Sequence, residues 1–364
     1  MDWRFAFEVG STLCVQVTVV IAATFLLQRL TDDARSACRL STAGFLCVIG
    51  LVAAAFALPH RRLLHFPTGM SREAILGFSV WQGRIAMVLA AVWAAGVLAS
   101  LFRRMTNCIR LLRFLRKACR QIDATAMLAR SEITSQPPDG LSILISDLAP
   151  GPFCWQLHRP VIVLPSFLLD EEQATLKHVL LHELEHLRTQ HPMQHFLQGV
   201  CSTLFWFHPL VWSAASNAEL IREYLCDEAA ARTAGKFGDY LRTLARVAEC
   251  CSSVPRSDAP QGTLAFGNHP SALVQRSKRL VKAASHQAQP SKWHSTAALS
   301  ALLICTAMVQ QLWLPTNAMA SQRSDWSPWP AWTANALHQF DVNVRDFERF
   351  EERVQMHELL QSTN

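Results

Sequence analysis

Leu180-Leu181-His182-Glu183-Leu184-Glu185-His186-Leu187 sets two histidines four residues apart in an apolar, helix-compatible run, with a glutamate directly after the first. Residues four apart share one helix face, so both imidazoles can reach one metal ion while Glu183 points to the same side. Asp170, Glu171, Glu172 and Gln173 read as a helix start, and the pattern predicts a helix over 171–190, ending before Pro192. Its core stripe is Leu176, Leu180, Leu184 and Leu187, while Val179, His182, Glu183 and His186 flank it on the site-facing side. Two short strands are expected just upstream, at 141–146 and 161–164, the second stopped by Pro165. An extended peptide can add to an exposed strand edge, which would hold it over the metal helix.

A hydrolytic zinc site usually has three protein ligands and one open position, so a third ligand must come from elsewhere. Downstream, 196–212 is apolar but broken by His208-Pro209; it reads as a helix and bend, or alternatively as an additional membrane span. The next helix, over 210–232, carries Glu219, Glu223 and Asp227 at four-residue spacing. Glu223 is the best third ligand, because Asp227 one turn later can accept the free ring N–H of a ligating histidine. On these residues alone, an exposed acidic face partnered by Arg222 and Arg232 is the stronger reading. His178, His191, His195 and His208 show no partner pattern and are read as structural, and Cys250-Cys251 as ordinary buried residues.

Half of the 364 residues are hydrophobic and 17% are charged, proportions that favour membrane spans over one large soluble core. Four runs without Asp, Glu, Lys or Arg approach the length a bilayer needs: 9–27, 41–58, 85–102 and 295–314. The first lacks a convincing cleavage site and is read as a retained span. Arg103, Arg104, Arg110, Arg113, Arg116, Lys117 and Arg120 follow the third run, and basic residues gather on the cytoplasmic side. That orientation puts the N-terminus outside, 103–294 inside and 315–364 outside. Small residues such as Gly44 allow close helix packing in lipid. The segment 103–121 reads as an amphipathic basic helix that either lies along the inner leaflet or continues the third span. The net charge of +6 then needs no nucleic acid to explain it; arginines flanking a bilayer suffice. The eleven cysteines include no CxxC pair and none beyond Cys305, which rules against a disulfide framework in the tail.

Taken together, the run from His182 to Arg188, Phe205-Trp206-Phe207-His208-Pro209-Leu210-Val211-Trp212 and Arg222-Glu223-Tyr224-Leu225-Cys226-Asp227-Glu228 resemble the BlaR/MecR-type membrane zinc metallopeptidases, the beta-lactam sensor-transducer or antirepressor family. Gly151-Pro152-Phe153 and Arg159-Pro160-Val161-Ile162-Val163-Leu164-Pro165 resemble that family's lead-in to its metal helix, and the likeness covers 141–234. The resemblance implies a Zn2+ ion on His182, His186 and Glu223, Glu183 as catalytic base and Asp227 as a supporting residue behind a ligating histidine. His269-Pro270 with Arg276 resembles an element of related membrane zinc peptidases in which the histidine steadies an oxyanion; an ordinary surface histidine is the alternative.

The expected fold is an α-helical polytopic membrane protein with a cytoplasmic α+β gluzincin-like zinc metallopeptidase domain. Its parts are three transmembrane helices over 1–102, a basic juxtamembrane helix and linker over 103–134, the peptidase over 135–282, a linker over 283–294, a fourth span over 295–314 and an extracytoplasmic tail over 315–364. The implied substrate is a cytoplasmic protein, such as a DNA-binding repressor, or the chain itself, with no direct nucleic-acid contact. A membrane quality-control peptidase and a non-catalytic receptor are the alternatives; the intact set of His182, Glu183, His186 and Glu223 argues against the second. The chain departs from the family's receptors in its tail: no lysine follows Lys292, so a Ser-x-x-Lys acylation site cannot lie there. Trp326, Trp329 and Trp332 suit a membrane interface, Phe340, Val344, Phe347 and Val354 suit an amphipathic helix, and Ala318-Met319-Ala320 looks like a signal-peptidase site. The tail is expected either to be a tethered, partly disordered segment or to meet an extracytoplasmic partner.

Overall fold

The computed structural model describes residues 3–62, 71–134, 136–156, 159–252, 270–285, 292–314, 326–327, 329–342 and 344. Along the chain come α1 (Trp3–Arg29), α2 (Ala34–Ala57), β1 (Arg61–Arg62), α3 (Arg72–Lys117), β2 (Arg120–Ile122), α4 (Ala124–Arg130), β3 (Ser142–Ser146), β4 (Phe153–Gln156) and β5 (Pro160–Pro165). A 3-10 turn (Ser166–Leu169) leads into α5 (Gln173–Arg188), α6 (His191–Leu204), α7 (Pro209–Ala234), α8 (Phe237–Ser252), α9 (Pro270–Ser285), α10 (Lys292–Gln311), β6 (Leu312–Trp313) and α11 (Ala331–His338). Two compact units result: one of 1–27, 43–97 and 296–364, the other of 28–42 and 98–295.

In the first unit, α1 carries Glu8, Thr12 and Gln16 at four-residue spacing, all buried. A polar stripe on an apolar helix must find partners within the protein. Thr12 donates to Leu314 O at 2.8 Å, and Gln16 Nε2 donates to Val309 O at 3.0 Å and Leu312 O at 3.2 Å, which satisfies carbonyls at the end of α10. Gly44 lies against Thr24, whose Oγ1 would sit 2.8 Å from any added Cβ, so the approach of α1 and α2 requires glycine there. β1 pairs in parallel with β6. Among the described residues three helices are long and apolar enough to cross a membrane, namely Ala6–Arg29, Ala34–Ala57 and Arg72–Lys117.

Several expectations change here. Among the described residues the fourth apolar helix is shorter, Ser295–Gln311, because Leu312 and Trp313 leave the helix to pair as a strand. Asp33 starts α2 by accepting from Ser36 N at 2.9 Å, so Arg35 and Arg39 lie on that helix. The basic segment after the third run takes the second of its two expected forms, the continuous end of α3, while the stretch read as linker supplies β2 and α4. Among the described residues the tail has one helix, α11, which ends before Phe340; Phe340 is 80% exposed, and Phe347 and Val354 of the expected amphipathic helix lie outside the described residues.

The second unit packs helices on a four-stranded sheet of order β2-β3-β5-β4. β3 and β5 run parallel, with Ile143 opposite Ile162 and Ile145 opposite Leu164; β2 and β4 flank them antiparallel. Ile143, Ile162, Leu164, Leu168, Leu176, Leu180, Leu184 and Leu187 form one core, so the predicted leucine stripe of α5 is its buried face. That helix starts at Gln173 rather than Glu171, because Asp170 ends the preceding 3-10 turn and no side chain caps at Glu172. It stops at Arg188, Gln190 takes a left-handed conformation (φ 55°), and Pro192 sits in the first turn of α6. The bend at Phe205–His208 separates α6 from α7 near where the proline placed it.

Candidate metal centre

The buried leucines of α5 aim its next face at α7. On that face His182 and His186 are 0% and 2% exposed, and Glu183 is buried between them. Pro209 starts α7, whose 26 residues place Glu223 and Asp227 one turn apart toward α5. The two Nε2 atoms of His182 and His186 stand 3.1 Å apart. Glu223 Oε2 is 3.5 Å from His182 Nε2, and Glu223 Oε1 is 3.3 Å from His186 Nε2. Ligands about 2.0–2.1 Å from a tetrahedral zinc lie about 3.3 Å from one another, so this triangle of two imidazoles and a carboxylate fits zinc in size and chemistry. Glu223 keeps 17% of its side chain exposed, so the triangle is not wholly sealed from solvent.

Behind His182 lies a buried network. His182 Nδ1–H faces Asp227 Oδ1 at 3.1 Å, which leaves the Nε2 lone pair for a metal. Tyr240 OH, from α8, donates to the same Oδ1 at 2.8 Å and lies 3.0 Å from His182 Nδ1. Arg276, from α9, forks onto Asp227 with Nε–Oδ2 at 2.8 Å and Nη2–Oδ1 at 2.6 Å, and its Nη1 reaches Glu223 Oε2 at 3.0 Å. Burial alone would lift the Asp227 pKa, but the Arg276 guanidinium outweighs it and, with His182, holds it at about 2. The same contest, again won by Arg276 together with the two histidines, keeps Glu223 well below the usual carboxylate range. Burial works against a charged His182, yet hydrogen bonds to Asp227 and Glu223 raise it to about 9.

Glu183 sits differently. Burial lifts its pKa to about 7, with His182 and Arg276 pulling down and Glu223 pushing up. Cys154, on β4, adds a small downward pull on the same carboxyl. A carboxyl group poised near neutrality can take a proton and give it back.

The structure thus brings together His182, Glu183, His186, Glu223 and Asp227. The exposed-acidic-face alternative does not describe Glu223 or Asp227, which turn inward onto Arg276; Arg222 instead donates to Gln198, and Arg232 pairs with Glu228. His269 lies outside the described residues. His178 is a core histidine bonded to Thr243 Oγ1 at 2.7 Å, and burial lowers its pKa. His191 departs from its structural reading, because its Nδ1 is 2.9 Å from His186 Nδ1. Sequence reasoning missed that contact, along with Cys154 and Tyr240. Tyr240 offered a faint signal, being one of two tyrosines in a chain where a buried phenol needs a partner.

Two helical histidines with a glutamate between them, completed by a carboxylate from another helix, are the equipment of a metallopeptidase. The chain belongs to the BlaR1 peptidase M56 family, whose family model matches residues 73–276, more than half of its length. It is also similar to the Regulatory protein BlaR1 of Bacillus licheniformis, with 32% identity over 91 residues. That match covers 25% of this chain and 15% of the relative.

Proposed function

We propose that the protein is a multi-pass membrane zinc endopeptidase that hydrolyses a peptide bond on the cytoplasmic side to pass on a signal. The donor triangle of His182, His186 and Glu223 beside the neutral-range carboxyl of Glu183 carries this reading. A zinc ion held there would supply Lewis acidity, acidifying water to near neutrality and polarising the scissile carbonyl. Glu183 takes the proton of the attacking water on its carboxylate and later delivers it to the leaving amine. Asp227, steadied by Tyr240 and Arg276, keeps the His182 proton on Nδ1. β4 is an outer strand of its sheet among the described residues and packs against α5, so a substrate strand added to β4 would pass near the base.

The arginines that follow the third apolar run support a cytoplasmic centre, with the N-terminus and the tail outside. The substrate in this reading is a cytoplasmic repressor or the chain itself, in keeping with the word "regulatory" in the name of the relative. The test pairs zinc analysis with a survey of protein N-termini in cells carrying wild type or Glu183→Gln. One zinc per chain and a few N-termini lost in the variant are expected. Identical N-termini in the two strains would end the peptidase reading, and many damaged membrane proteins accumulating in the variant would point to quality control instead.

A further inference from the structure

A line of hydrogen bonds runs from His186 away from the donor triangle, and its direction can be assigned from the far end. Gln194 Nε2 donates to Thr189 O at 2.9 Å, which fixes the amide orientation, because a carbonyl cannot accept from the amide oxygen. Gln194 Oε1 therefore faces the Cys38 thiol as an acceptor, at 3.3 Å. With its proton spent there, Cys38 Sγ can only accept from the Nε2 of His191, 3.7 Å away. His191 then carries its proton on Nε2, and its bare Nδ1 accepts from His186 Nδ1–H at 2.9 Å. That leaves His186 with an unprotonated Nε2, the atom that faces His182 and Glu223. Cys226 Sγ, 3.5 Å from His191 Nδ1, is a further weak donor to the same nitrogen. His186 and His191 are both buried, so water does not compete for these positions.

We propose that His191 is a positioning residue: with its tautomer set by Cys38 and Gln194, it holds His186 in the one tautomer and ring orientation that can ligate a metal. This deepens the reading above and rests on it, since it presumes that His186 Nε2 is a ligand. Cys38 stands on the first turns of α2, so the constraint on the ligand comes from an apolar helix as well as from the peptidase's own elements.

His186, His191 and Cys226 are also close enough together to hold a metal of their own. It would strip His186 of its Nδ1 proton while Nε2 serves the first site, and the 2.9 Å separation of the two Nδ1 atoms is that of a shared proton.

The test uses the full chain in detergent micelles, with zinc affinity by chelator competition and the absorption spectrum after cobalt substitution as readouts. His191→Ala is expected to weaken zinc binding about 10–100-fold and to alter the cobalt spectrum. His191→Asn keeps an acceptor oxygen where Nδ1 was, so its affinity should return to within about threefold of wild type. Equal losses in both variants, or no loss in either, would overturn the proposal. So would two bound zinc ions in wild type and one in His191→Ala, which would make His191 a ligand. Zinc uptake by wild type with a flat His191 series removes this inference alone; an intact series without any Glu183-dependent cleavage removes the peptidase reading alone.

Discussion

Asp227 accepts from His182, from Tyr240 and twice from Arg276, and this surplus of donors keeps a buried carboxylate charged where burial would otherwise neutralise it. Replacing it with asparagine removes the charge that fixes the His182 tautomer, so zinc affinity should fall about 10–100-fold. Tyr240→Phe removes one neutral donor and leaves Arg276 in place, so a smaller loss, within about tenfold, is expected. Chelator competition on both variants checks the order; a Tyr240→Phe loss larger than that of Asp227→Asn would show that the phenol, not the carboxylate, orients the ring. The same network makes metal uptake pH-dependent. In metal-free protein His182 holds a proton up to about pH 9, and a metal at Nε2 must displace it. Fewer protons compete as pH rises, so affinity should climb by up to about tenfold per unit below pH 9 and level off above it. An affinity that is flat between pH 7 and 9 would mean that His182 is neutral before the metal arrives.

α5 is the element most legible in the sequence, because one four-residue periodicity dictates both its core stripe and its ligand pair. Leu180 is fully buried in the sheet-facing core, and Leu180→Ala should cost about 2–5 kcal/mol in denaturant unfolding, with zinc affinity falling as the ligand helix loosens. The end of α5 offers the opposite test. Gln190 holds a left-handed backbone that glycine adopts without strain, so Gln190→Gly should stabilise by up to about 1 kcal/mol. A destabilised Gln190→Gly would mean that the glutamine side chain holds the α5–α6 corner. β3 and β5 were equally readable as short apolar runs bounded by turns. β2 and β4 were not: each has three or four residues, too few for a period, and each exists only through pairing with another strand. The start of α5 was misplaced by two residues because an acidic cluster signals a helix start equally well wherever the 3-10 turn ends.

Across the whole molecule, local pattern located half of the metal centre, and tertiary packing supplied the rest. His182, Glu183 and His186 are neighbours in the chain, and Glu223 and Asp227 share a turn, but Tyr240 and Arg276 come from helices whose own sequences say nothing of a carboxylate. Membrane placement follows a third kind of evidence, the distribution of charge, and it can be tested without reference to catalysis. The arginines after the third apolar run predict that the peptidase unit faces the cytoplasm and the tail faces outward. Asp139 lies in an exposed turn of the unit that carries the metal centre, and Gln339 is exposed just after α11. No native cysteine follows Cys305, so a thiol introduced in the tail has no neighbour there to confuse it. With a membrane-impermeant maleimide on spheroplasts, Gln339→Cys should label above the wild-type level in intact cells, and Asp139→Cys only after permeabilisation. Labelling of Asp139→Cys in intact spheroplasts would turn the peptidase outward, and with it the proposed cytoplasmic substrate would fall even if zinc binding and cleavage stood.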